Sequence, residues 1–270
     1  MNRDTALRLL ELNQQFYQSF AGPFSESRRR LQPGVARLLK RIPPEGSVLD
    51  LGCGPGTLAL ELTLSGYRGS YLGLDSSASL LEVTREALRR LETSDSHDPS
   101  RGETGPRRLE TPDSGAPRGT GASFIFRQVD LAEPDWVRAL PSRPFDAILA
   151  FAVLHHIPGA GARLRLASQV REHLSPEGQF FLSNWQFLES SRLRERIQPW
   201  KLAGISPADV EPGDYLLDWR RGGTGLRYVH HFSLEELASL AVEAGFAVED
   251  SFYSDGEGGR LGLYQVWVPG

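Results

Sequence analysis

The chain has 270 residues, a formal net charge of −4 and one cysteine, with 40% apolar and 24% charged residues. That length buries the core of a single α/β domain, and the charge gives no global attraction to a polyanion. An internal disulfide and a cysteine-cluster metal site are excluded, and a run of about 18 apolar residues that would predict a transmembrane helix is absent.

Met1–Asn13 carry polar and charged residues throughout, unlike the apolar centre of a signal peptide, so a cytoplasmic protein without membrane contact is expected. Residues 4–21 have a helical apolar pattern (Leu7, Leu10, Phe16, Tyr17 and Phe20) that Gly22-Pro23 should stop. Phe24-Ser25-Glu26-Ser27-Arg28-Arg29-Arg30 then leads into a second helix, Pro33 to Arg41, closed by Pro43-Pro44. The arginine triplet suits a solvated face or a contact with RNA phosphate. Of the 30 basic residues only Lys40 and Lys201 are lysines, and arginine is the better residue for phosphate and planar carboxylates.

The central stretch is Val48-Leu49-Asp50-Leu51-Gly52-Cys53-Gly54-Pro55-Gly56-Thr57, followed by helical leucines up to Leu64. It reads as strand, tight loop and helix, the first unit of a doubly wound α/β sheet. The dinucleotide fingerprint is G-x-G-x-x-G, whereas this loop is G-x-G-x-G. Asp50, two residues before the first glycine, would repel a pyrophosphate but can accept hydrogen bonds from the amino group of a methionine-like moiety. Tyr71 to Ser77 is a second strand ending in Asp75, an acid spaced from the loop so as to accept two ribose hydroxyls.

A helix over Ser79 to Leu91 precedes residues 92–122, rich in Ser, Gly, Pro, Thr, Asp and Arg, which are expected to form a disordered insertion dispensable for chemistry. Phe124 to Leu131 is a third strand ending at Asp130, and Glu133 to Leu140 a short helix anchored by Trp136. Phe145 to Pro158 is the fourth-strand segment, with His155-His156-Ile157-Pro158 at its end. A helix over Ala160 to Leu174 turns at Ser175-Pro176-Glu177-Gly178 into a fifth strand ending near Trp185. Ser190 to Gln198 reads as an arginine-rich helix with Arg192, Arg194 and Arg196, and Glu235 to Ala244 as the last helix after a Ser233 cap. Phe246 to Tyr253 and Leu261 to Val268 alternate as a terminal antiparallel hairpin, giving seven strands.

In this order the glycine loop, the acids ending strands two and three, the fourth-strand segment and the turn into strand five resemble the motifs of the class I S-adenosylmethionine (SAM) methyltransferases. Gly213 to Trp219, and Arg227-Tyr228-Val229-His230-His231-Phe232 before the last helix, further resemble the tRNA wobble-uridine carboxymethyl methyltransferases, as do Phe16-Tyr17 through Arg28 and Trp185. Val229 replaces the second tyrosine of that family's stretch, and 211–226 is only loosely similar. The resemblance implies a Rossmann-like, seven-stranded fold and one domain over 1–270, with a helical cap (1–44) and an acceptor-facing insertion (186–232). It implies SAM as cofactor, held by Asp50, Gly52, Cys53, Gly54, Asp75, Ser76, Asp130, Leu131 and Phe151. It implies tRNA as substrate, with Arg28, Trp185, Arg227, Tyr228 and His230 facing it and Arg227, Tyr228 and His156 at the chemistry, and it raises a small activator subunit as a partner.

A carboxylate acceptor is ionised at neutral pH and needs orientation rather than a base, which an Arg227–Tyr228 clamp would supply. A nitrogen or hydroxyl acceptor would call on His156, His230 or His231 as base, while His156 could instead simply close the cofactor pocket. Adjacent His230 and His231 do not make a metal site. A small carboxylic acid or other metabolite is the alternative acceptor for this fold. A scaffold without activity fits poorly with the intact Asp50, Gly52, Gly54, Asp75 and Asp130 set.

Overall fold

The computed structural model describes residues 1–27, 30–95 and 121–270. Arg28 and most of the expected insertion (96–120) lie outside these. Residues 92–95, assigned to the insertion from sequence, continue a helix.

Strands β1 (Ser47–Leu51), β2 (Ser70–Asp75), β3 (Ser123–Gln128), β4 (Phe145–Phe151) and β5 (Leu174–Trp185) are parallel to one another. With β9 (Phe246–Ser254) and β10 (Gly262–Pro269) they form a seven-stranded sheet in the order β3-β2-β1-β4-β5-β10-β9. Only β10 runs antiparallel to its neighbours, as the terminal hairpin requires. The order reverses between β1 and β4, so the connections leaving their carboxyl ends diverge and open a crevice there.

The two-residue period of the strands divides the core. Leu49, Leu72, Ile148 and Leu182 face one side, covered by α5 (Ala160–His173) and α7 (Leu234–Glu243). Val48, Tyr71, Leu149 and Phe181 face the other, covered by α2 (Pro33–Leu39), α3 (Thr57–Leu64) and α4 (Ala78–Asp95). Trp136 is buried as expected, but in a four-residue 3-10 turn, with its indole N–H donating to Gln169 Oε1 at 2.7 Å.

Two expectations are corrected. Helix α1 (Arg3–Ser27) does not stop at Gly22-Pro23: it kinks at Phe20 (φ −116°) and resumes. Pro23 then falls in the first turn after the kink, where its missing N–H costs nothing. The arginine-rich helix over 190–198 shrinks to α6 (Ser191–Arg194), and Ile197–Gln198 become β6. Leu193 is the only buried residue of α6. The chain beyond it instead pairs in an antiparallel sheet with β7 (Asp214–Trp219), itself paired with β8 (Gly225–His230).

This second sheet seats the N-terminal helix. Buried Asn13 of α1 accepts the Tyr228 N–H at 2.8 Å and donates to the Tyr228 carbonyl at 3.2 Å, acting as a short extension of the β8 edge. Replacing Asn13 with alanine leaves the buried Tyr228 N–H without a partner and its carbonyl with His156 Nδ1 alone, so we expect about 1–3 kcal/mol of lost stability. Chemical denaturation checks this: a variant as stable as wild type would show that α1 is not held through Asn13.

Candidate active site

The crevice is walled first by the loop after β1. Gly52, Gly54 and Gly56 all have positive φ (67°, 55° and 74°), which a side chain strongly disfavours. Space forbids one too: a Cβ at Gly52 would lie 2.8 Å from Val153 Cγ2, and one at Gly56 2.2 Å from Thr84 Cγ2. The loop is pinned by its carbonyl at Gly54, which accepts from Thr84 Oγ1 at 3.0 Å, and by the Cys53 N–H donating to Leu74 O at 2.9 Å.

Two acids stand beside it. Asp75 ends β2; its Oδ2 accepts the Gly54 N–H and its Oδ1 the Ser77 N–H, both at 2.8 Å. Burial raises its pKa, against the opposing pull of those two amides. Asp50, 1% exposed, accepts a hydrogen bond from the Tyr71 hydroxyl. Burial raises its pKa to about 7, the Tyr71 bond opposes this, and the charge of Asp75 adds to it.

The opposite wall comes from the end of β4. Ala152 adopts φ 59°, and its N–H donates to both the carbonyl (3.0 Å) and Oγ (3.1 Å) of Ser183. A non-glycine residue in that region is a strained conformation of the kind that concentrates at functional sites. The next turn presents His156. Its Nδ1 lies 3.1 Å from the Tyr228 carbonyl, which can only accept, so Nδ1 carries the proton. Nε2 then accepts from the Tyr17 hydroxyl at 2.8 Å.

These walls enclose a cavity of about 260 Å³. Asp50, Gly52, Cys53, Gly54, Asp75, Ser76, Asp130, Leu131 and Phe151 all line it, and so does His156. The other described residues expected at the acceptor, Trp185, Arg227, Tyr228 and His230, do not line it. Tyr228 is fully buried and donates to Asp214 Oδ1 at 2.7 Å; His230 is held between Asp214 and Glu236 at 2.8 Å each. Both are consumed in fixing β8. Arg227, 5% exposed, is stacked among Trp185, Phe16 and Trp219, with its guanidinium carbon 4.6, 5.4 and 5.7 Å from the ring centres. Trp185 serves as one plate of that stack. The clamp expected of Arg227 and Tyr228 thus gives way to a packing role, because β8 turns these side chains toward α1 and β7 instead of the crevice.

Sequence reasoning gave the N-terminal cap but not the residues by which it forms the wall: Asn13, Gln14, Tyr17, Arg30 and Gln32. Tyr17 was visible as part of an apolar helical face and of the opening-segment resemblance, without a role. Its phenolic tip, and the polar Asn13 and Gln14 one turn earlier, were the available signal.

The residues fit SAM. An acid at the end of β2 suits a ribose, a second acid deep in the cavity suits an ammonium, and the side-chain-free loop allows close approach to the backbone. Among the described residues, no group of three or more potential ligands could hold a metal, and no helix is long and apolar enough to cross a membrane.

Two outcomes follow from the acids. Asp75→Ala should weaken binding of SAM by about 2–4 kcal/mol, since a buried charged acceptor is lost, and calorimetry checks this. Unchanged affinity would remove Asp75 from the site. For Asp50, the folded pKa of about 7 lies above the ordinary carboxylate value of 3.8, so the folded protein holds a proton that the unfolded chain releases in between. Stability is therefore lost as pH rises through that window. Asp50→Asn should abolish this slope and melt higher than wild type above neutral pH. Parallel melting curves for the two proteins would disprove it.

Residues 24–251 match the family described as "Methyltransferase domain". Trans-aconitate 2-methyltransferase of Azoarcus sp. (strain BH72) is 27% identical over 67% of this chain and 57% of its own length. The "Probable tRNA methyltransferase 9B" of Bos taurus is 24% identical over 73% of this chain and 35% of its own length. The chain thus spans well under two thirds of both these relatives. The DhpI complex with SAM and HEP shares the fold, with a TM-score of 0.58, 20% identity and 97% and 98% of the two chains covered. With a matching family across most of its length and the sheet order and cavity described above, the chain belongs to the class I SAM-dependent methyltransferases.

Proposed function

We propose that this enzyme methylates a carboxylate, and that its acceptor is the carboxymethyl group of a modified wobble uridine in tRNA. The observation that carries the reading is a partition of charge across the cavity. The sheet side contributes Asp50, Asp75 and Asp130, whereas the cap side contributes the amides of Gln14 and Gln32 and the Arg30 guanidinium, with Asn13 and Tyr17 already bonded to Tyr228 and His156, and no acid among the described residues. A cofactor bearing an ammonium and ribose hydroxyls belongs with the acids; an anionic acceptor belongs with the cation and the donors.

The relatives support each half of the reading separately. One is named for an acid, trans-aconitate, and the other for tRNA. The resemblance of 213–219 and 227–232 to the wobble-uridine enzymes favours the nucleic acid.

When bound, SAM supplies an electrophilic methyl group on a sulfonium. The chain's own part is to position the acceptor and exclude water. Helix α1 closes one wall of the crevice, and Arg30 at its exposed edge is placed to orient a carboxylate. No proton has to leave such an acceptor. A second reading rests on the Tyr17–His156 pair: an acceptor bearing O–H or N–H could pass its proton through the tyrosine to Nε2.

Transfer to bulk tRNA, compared with trans-aconitate and other small acids, and nucleoside mass spectrometry of the digested tRNA, separates the acceptors. A methyl ester on uridine is expected; esters only on small acids would place the enzyme among metabolite methyltransferases. Arg30→Ala should cut transfer at least about tenfold while leaving SAM affinity unchanged, and Arg30→Lys should recover only part of it. Tyr17→Phe should leave the rate within about threefold of wild type for a carboxylate. A much larger loss, steepening at low pH, would favour the relay.

A further inference from the structure

Asp50 does not stand in the cavity alone; it is held from behind by a residue that no wall of the site includes. In the parallel register of β1 and β2, Tyr71 lies level with Val48 and Gly73 level with Asp50, so Tyr71 and Asp50 share a face two residues apart. Tyr71 is 1% exposed, its ring packed against Phe124 and Phe126 at 5.4 and 5.8 Å between centres, and its hydroxyl donates to Asp50 Oδ2. At Gly73 a Cβ would come within 2.8 Å of Phe126 and 3.0 Å of Cys53 Sγ, so only glycine leaves room for this packing beneath the loop.

We propose that Tyr71 is a positioning residue for the cofactor: its hydroxyl holds the Asp50 carboxylate turned toward the cavity and sets the pH at which the site loses affinity for an ammonium-bearing ligand. This rests on the reading of Asp50 as the acceptor of the cofactor's ammonium.

Other titratable groups surround Asp50, and Asp75, Asp130 and His156 share the cavity with it. On β2 these are Tyr71 and Asp75, and in the loop Cys53; Tyr67 lies beyond Tyr71, and Arg85 of α4 acts on Cys53. Across the cavity stand Tyr17, Arg30 and His156. Burial holds Tyr71 and Cys53 well above their ordinary values, so both stay neutral and Tyr71 remains a donor. Donation to the charged carboxylate favours it; without that bond Asp50 would take up its proton at higher pH.

The test is calorimetric binding of SAM to the full chain between about pH 5.5 and 8. Wild-type affinity should fall by up to about tenfold per pH unit below about pH 7. In Tyr71→Phe, which keeps the ring packing, the fall should begin about one pH unit higher. The cofactor's own amine titrates identically in both measurements and cancels in the comparison. Asp50→Asn should bind weakly and lack this limb altogether. A Tyr71→Phe profile that coincides with wild type, even with a lower melting temperature, would reduce Tyr71 to packing and overturn the proposal. So would an Asp50→Asn variant that keeps the limb, since Asp75 or His156 would then be titrating. Normal SAM affinity in Asp75→Ala at every pH would overturn the cofactor-site reading itself, an outcome distinct from either of these.

Discussion

The site depends on one hydrogen-bonded carboxylate. Asp75 sits where β2 ends, and its two oxygens accept amides from different places, Gly54 in the loop after β1 and Ser77 ahead of α4. It therefore ties two strand ends together at the crevice that the β1/β4 reversal opens. Because the acid is buried, these amides are what keep its charge tolerable, and they place the loop's backbone at the cavity wall. Thr84 fixes the same loop from α4. The three left-handed glycines are thus held in position by neighbours that their own conformation makes room for.

The cap depends on the second sheet in a comparable way. Asn13 borrows the edge of β8, and β8 is itself anchored by Asp214, which accepts from both Tyr228 and His230. Burial alone would lower the His230 pKa, but its bonds to Asp214 and Glu236 outweigh that and raise it. Glu236 also caps into this network from the first turn of α7, where Ser233 accepts its N–H. The segment 186–232 therefore acts on the cavity at one remove: it holds the helix that carries Tyr17, and its Tyr228 carbonyl fixes the tautomer of His156.

That indirectness explains what the sequence could and could not reveal. Strand ends carrying acids, and a loop with glycines at alternate positions, are local signals, and the elements around Asp50, Gly52–Gly56, Asp75 and Asp130 came out close to their sequence-derived bounds. Arg227, Tyr228 and His230 were equally conspicuous in the sequence, yet motif spacing says nothing about which face of β8 points where; only the pairing with β7 and the packing of α1 decide it. Ser190 to Gln198 failed as a helix for a tertiary reason, since the strand edge at Leu216–Leu217 captured Ile197 and Gln198. Which cap residues reach the cavity was hidden because Tyr17 and Arg30 meet the crevice from a chain segment that precedes the first strand.

The charge layout of the cavity also has a cost that function explains. Asp50 and Asp75 repel each other, both are buried, and both are pushed toward their neutral forms. In the ligand-free protein this is unfavourable wherever Asp50 is ionised, so the fold carries an electrostatic strain at its centre. A ligand with a positive charge and several hydroxyl donors relieves it, and the same interaction energy is then available for binding. Tyr71, neutral and unable to reach solvent, eases Asp50 without cancelling the charge the ligand must meet. A lysine in its place would satisfy the acid too well, whereas a phenylalanine would leave it protonated near neutral pH. A neutral donor beneath the loop lowers the pH at which the carboxylate ionises and leaves its charge uncancelled, which is the state a cationic cofactor requires.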